Sequence, residues 1–168
     1  MNKRGCFGIV FLAVFAVFLL GGFVSALGTC DESQEIMSLY SIPVFEAINT
    51  HGELATRNTG FYNYQVCYND IFGSQFLTPG DPRTNCAPSN GLVLKLAQPT
   101  NAHAEGPASI TPPYTSTPVC YGDMNCELVN GACPTGKTFV VSLSGQTNAH
   151  LGATANAFSG LSNYKICC

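Results

Sequence analysis

The chain contains no tryptophan and little charge. Lysine and arginine together number seven in 168 residues, and no segment gathers them into a patch. That excludes the electrostatic footprint of a nucleic-acid binder. No G-x-S-x-G elbow occurs, so the nucleophile turn of the α/β-hydrolases is excluded. The N-x-[ST] sequon is also missing despite many asparagines. Helical periodicity is scarce. "TPGDP" at 78–82 and "PASITPPYTSTP" at 107–118 carry too much proline for helices. "QEIMSLY" at 34–40 is the one stretch suited to a short helix, and a strand suits it better.

One long uncharged run is present, Cys6 to Leu27, preceded by Lys3 and Arg4. With the small residues Val24-Ser25-Ala26 at its end, it reads as a secretory signal peptide over 1–26, cut after Ala26. Uncleaved, the same run is long enough to anchor the chain in a membrane, with Lys3 and Arg4 on the cytoplasmic side. A third reading takes Lys3-Arg4-Gly5 as a prepilin-type processing site, which leaves a hydrophobic helix to pack in a filament. Val10 stands where pilins carry a glutamate. "LGTC" at 27–30 is a poor lipobox, with threonine before the cysteine. Every reading places residues 30–168 outside the cytoplasm; 27–168 is read as one domain, touching membrane only through the N-terminal segment.

Cysteine is abundant. Beyond Cys6, eight remain in 27–168: Cys30, Cys67, Cys86, Cys120, Cys126, Cys133, Cys167 and Cys168. An even number in an exported chain implies a disulfide framework, with 105 possible pairings for eight. Internal spacing narrows them. Cys86 and Cys133 are 47 residues apart, as are Cys120 and Cys167, and His103 and His150 within two copies of "TNAH". The offset defines units 86–120 and 133–167, and a weaker copy spans 30–67 with Asn49-Thr50-His51 in the motif's place. Opening and closing cysteines then lie 37, 34 and 34 residues apart. This predicts Cys30–Cys67, Cys86–Cys120 and Cys133–Cys167, leaving Cys126–Cys168 as the fourth pair. Bridges between successive units, Cys67–Cys86 or Cys120–Cys133, remain the alternative.

Each unit opens with an alternating strand. Leu92, Leu94 and Leu96 alternate with Val93, Lys95 and Ala97, and Phe139, Val141 and Leu143 with Val140, Ser142 and Ser144. That is the period of a half-buried strand. Met37 and Leu39 match in the first unit, where Glu35 replaces the first large apolar residue. Short closing strands are expected at 64–68, 117–121 and 163–167. The implied fold is a single all-β, antiparallel domain, sandwich-like, of three strand–NAH loop–strand units.

A cysteine, a Val/Leu strand, "TNAH" and a closing Tyr-x-x-Cys together resemble repeats of predicted secreted surface proteins of archaea, a family without an assigned biochemical function. The resemblance covers most of 30–168. It is strong for the last two units and weak for the first. It implies a cell-surface setting and no catalytic residues.

Three groups of residues invite chemistry. "GACPTGKT" at 131–138 spells a P-loop. A phosphate cradle needs a helix after the glycines, whereas "TFVVSLSG" follows with the pattern of a strand. No nucleotide is therefore expected. The motif residues Asn49, His51, Asn101, His103, Asn148 and His150 are the second group. Three histidines could hold zinc or copper, with Glu53 and Glu105 two residues beyond two of them. Equivalent positions in a repeat are expected to lie apart, so the expectation is turn-forming asparagines, packed histidines, and no metal or other cofactor. The remaining carboxylates, Asp31, Glu32, Glu35, Asp70, Asp81, Asp123 and Glu127, are scattered and expected in solvent. The third group is aromatic. Phe61, Tyr62 and Tyr64, with Tyr114, Tyr121 and Tyr164, suit a core, or a surface for protein or glycan partners.

The sequence thus describes a non-enzymatic, exported structural or interaction protein of the cell surface, adhesion-like and stabilised by disulfides. A pilin-like filament subunit is the alternative, and a histidine-based metal-binding surface protein the second.

Overall fold

The computed structural model describes residues 30–42, 47–75, 77, 82–84, 86, 91–114, 117–158 and 163–168. The segment 1–26 lies outside the described residues. So does Asp81, and the loop positions 78–80 and 115–116.

Ten strands carry the fold: β1 (Glu35–Leu39), β2 (Gly52–Leu54), β3 (Tyr64–Cys67), β4 (Leu92–Leu96), β5 (Ala104–Glu105), β6 (Pro118–Cys120), β7 (Glu127–Asn130), β8 (Phe139–Leu143), β9 (Leu151–Gly152) and β10 (Tyr164–Cys167). They form three antiparallel sheets, ordered β2-β1-β3, β5-β4-β6 and β7-β10-β8-β9. The two-sheet sandwich expected from the alternating pattern is thereby corrected. "QEIMSLY" contributes β1. A short helix forms elsewhere, α1 (Tyr68–Phe72), ended by Gly73 in the left-handed region.

The three central strands share a departure from simple pairing. Register shifts by one residue between Glu35 and Met37, between Leu92 and Leu94, and opposite Phe139 and Val141. Ile36, Val93 and Val140 are the extra residues. Each is a β-bulge, which leaves one residue without a partner and bends its strand. The bulges explain why strict alternation fails, since Ile36 and Met37, Val93 and Leu94, and Val140 and Val141 are adjacent and all buried. These pairs join Leu39, Leu96, Leu143, Leu151 and Ile166 in one core shared by all three sheets. With three sheets around one core, both faces of a central strand are covered.

Four disulfides tie the sheets: Cys30–Cys67, Cys86–Cys120, Cys133–Cys167 and Cys126–Cys168. The first three each join the approach to a central strand with the end of its closing strand. Loops of 34 to 42 residues are closed, each bridge contributing about 3–4 kcal/mol in the chain-entropy account. Four such bridges indicate an oxidising, extracytoplasmic environment.

The P-loop lookalike is a turn. Lys137 N–H donates to the Pro134 carbonyl, and Gly136 has φ +84°. Thr138 and Cys168 exchange backbone hydrogen bonds, and β8 follows at once. Lys137 Nζ pairs with Glu127 at 3.2 Å and donates to the Asn125 carbonyl. No helix follows the glycines, so no helix N-terminus faces a phosphate.

Candidate metal centre

The site begins with the backbone of three asparagines. Asn49, Asn101 and Asn148 have φ of 55°, 50° and 48°. This is the left-handed conformation that asparagine tolerates better than other side-chain-bearing residues. Each asparagine turns the chain at the end of its loop, and the histidine two residues on is anchored to its own sheet. The carbonyls of His51, His103 and His150 accept from the N–H groups of Tyr40, Ala97 and Ser144, which directly follow β1, β4 and β8.

The turns also bind one another. Gly52 and Ala102 exchange a reciprocal pair of backbone hydrogen bonds, Ala104 and Ala149 a second, and Leu151 and Thr50 a third. The middle residue of each Asn-x-His thus pairs with the residue after the histidine of another. The cycle closes from the end of the chain back to its beginning. At its centre Gly52, Ala104 and Leu151 divide the space unequally. A Cβ on Gly52 would stand 2.8 Å from Leu151 Cδ1 and from Met37 Cε, so the glycine makes room for the leucine.

Side chains repeat the cycle. His51 Nδ1 lies 2.7 Å from Asn101 Oδ1, His103 Nδ1 2.6 Å from Asn148 Oδ1, and His150 Nδ1 2.5 Å from Asn49 Oδ1. An amide oxygen only accepts, so each Nδ1 carries the proton and donates. Tyr62 and Tyr114 add their hydroxyls to Asn101 Oδ1 and Asn148 Oδ1, at 3.3 and 3.0 Å. With Nδ1 taken, Nε2 is the ring nitrogen left to bind a ligand.

The three imidazoles converge. Ring centroids are 4.7, 5.1 and 4.5 Å apart, and three ligand nitrogens lie within 4.8 Å of one another. The expectation that the repeated histidines occupy separate places is overturned. The backbone pairs Thr50–Leu151, Gly52–Ala102 and Ala104–Ala149 link the three turns in a cycle, which brings their histidines to one centre. Nitrogens at that spacing surround a point at most roughly 2.8 Å from each, against zinc–nitrogen bonds of about 2.0–2.1 Å. A shift of at most roughly 0.7 Å per ring brings the nitrogens to that bond length.

Electrostatics favour the neutral form of His150, the form that binds a metal. Burial first, then the neighbouring His103 and His51, hold the His150 imidazole below its ordinary range. An Nδ1–H held by a fixed oxygen is the second-shell arrangement typical of metal-binding histidines.

The glutamates two residues on do not join the cluster. Glu53 and Glu105 are buried in β2 and β5; Glu53 accepts from Thr59 N–H at 3.2 Å and Glu105 from the Ser109 hydroxyl. Glu35, expected in solvent, is buried too. It accepts from the Ser38 hydroxyl and, at 2.9 Å, from Gln65 Nε2. Tyr121 is wholly buried, donates to the Ser33 carbonyl and stacks on Tyr68. Phe61 is 74% exposed. The sequence pattern marked each asparagine as a turn former. Nothing in it marked the bond from each asparagine to another unit's histidine.

No known protein family matches the chain, and neither a curated protein nor a solved structure does.

Proposed function

We propose that this chain is an exported, disulfide-stapled β protein of the cell surface whose working part is a metal centre formed by His51, His103 and His150. The convergence of three imidazoles from three separate turns is the observation that carries this reading. The 47-residue offset in sequence and the cyclic contacts support three related units arranged about a pseudo-threefold axis. The histidines then meet on that axis.

Imidazole-only ligation suits Zn²⁺ and Cu²⁺, while Ca²⁺ and Mg²⁺ require oxygen ligands. Three protein ligands leave a fourth coordination position for water or an exogenous ligand. Asn101, Asn148 and Asn49 hold the three rings in one tautomer.

Isothermal titration of metal-stripped protein with Zn²⁺ and with Cu²⁺ tests the reading, with metal analysis after dialysis. One ion per chain is expected, lost in His103→Gln while the fold persists by circular dichroism. Folded protein that retains neither ion after dialysis overturns it.

A further inference from the structure

A cleft of about 660 Å³ adjoins the histidine cluster and takes two of its walls from His51 and His150. Its other walls include the aromatic side chains of Tyr40, Phe61 and Tyr62 and the polar ones of Thr59, Thr100 and Asn101. Among the described residues, no lysine, arginine, aspartate or glutamate lines it. We propose that this cleft binds a neutral carbohydrate, with a sugar ring against Phe61 and Tyr62 and its hydroxyls toward Thr59, Thr100 and Asn101.

Three observations lead there. Phe61 is 74% exposed and Tyr40 47%. Large rings left in water at the mouth of a concave site offer an apolar face to a ligand. The polar wall consists of hydroxyls and an amide. Asn101 Oδ1 already accepts from His51 and Tyr62, and its Nδ2 carries two further N–H donors. Such groups serve an uncharged, hydroxyl-rich ligand and offer no counter-charge to an ionic one. Thirdly, the cleft breaks the cyclic pattern. Tyr62 and Tyr114 make the same hydroxyl contact with successive asparagines, but Tyr114 is only 4% exposed while Tyr62 lines an open cleft.

The cleft shares His51 and His150 with the proposed metal centre, whereas His103 is not among its walls, so sugar binding is read on the metal-stripped chain. The test is saturation-transfer NMR on the full exported chain with maltotriose, mannotriose and N,N′-diacetylchitobiose, and with sialyllactose as an anionic probe. At least one neutral sugar is expected to bind the metal-stripped protein, about tenfold more weakly to Phe61→Ala. Using metal-stripped protein separates the two readings, since a sugar bound there owes nothing to the ion, and Phe61 is not among the proposed metal ligands. The proposal is overturned if folded protein binds no neutral sugar, if it prefers sialyllactose, or if Phe61→Ala binds as well as wild type.

Discussion

His150 Nδ1 lies 2.5 Å from Asn49 Oδ1 across a separation of 101 residues. That contact closes the cycle, because it returns the last Asn-x-His turn to the first. The other two, His51 to Asn101 and His103 to Asn148, span 50 and 45 residues. The asparagine therefore has two roles. Its backbone makes the left-handed turn of its own Asn-x-His segment, and its side chain orients the histidine of another.

These roles separate on substitution. Asn101→Gly keeps the left-handed backbone, which glycine adopts freely, and removes the oxygen that holds His51. Zn²⁺ affinity is expected to fall about 10- to 100-fold, with little change in the thermal midpoint of the metal-free protein. Calorimetric titration and thermal melts of the same sample check both.

Gly52 is the tightest point of the cycle. Gly52→Ala places a methyl 2.8 Å from Leu151 Cδ1 and Met37 Cε, an overpacking expected to cost about 1–3 kcal/mol. The second substitution Leu151→Val relieves part of that crowding. Urea unfolding of the single and double variants should therefore show non-additive losses.

The metal-free protein is expected to lose stability on acidification. In the unfolded chain His150 titrates near the ordinary imidazole value of about 6.5, and in the folded protein burial and its histidine neighbours lower it. Between the two values only the unfolded chain binds the proton. Stability is thus full above the unfolded value and declines as pH falls through the folded one. Urea midpoints at pH 7.5 and 5.5 measure the slope, and His150→Gln should flatten it.

The bridge through "GACPTGKT" can be weighed against its lysine. Replacing Cys133 and Cys167 together by serine opens a loop of 34 residues and is expected to cost about 3–4 kcal/mol. Lys137→Ala removes a partly exposed ion pair with Glu127 and should cost at most about 1 kcal/mol. Neither wild type nor Lys137→Ala should bind ATP, which equilibrium dialysis decides.

Much of the fold was legible in local pattern. The β-branched and leucine-rich strands, the turn-forming asparagines and the cysteine spacing are properties of short segments, and β1, β4 and β8 lie where alternation placed them. The bulges at Ile36, Val93 and Val140 were not legible, because a bulge is a mismatch between two strands distant in sequence. β7 and α1 were likewise missed; each is short, and β7 finds its partner β10 only at the far end of the chain. Of the cleft, "FYNY" supplied a visible cue in Phe61 and Tyr62. Tyr40, Thr59 and Thr100 join them only through folding.

The amino-acid sequence by itself determined the ingredients: an uncharged apolar run near the N-terminus, eight cysteines at regular spacing beyond it, an all-β pattern, and a histidine two residues after each of three turn-forming asparagines. The tertiary structure decided what the histidines do. Whether the three Asn-x-His turns lie apart or together depends on how the chain brings them side by side. That rests on the backbone pairing of Thr50 with Leu151, Gly52 with Ala102 and Ala104 with Ala149. These are contacts between turns distant in sequence, made by peptide groups that every residue carries, so no side-chain pattern could announce them.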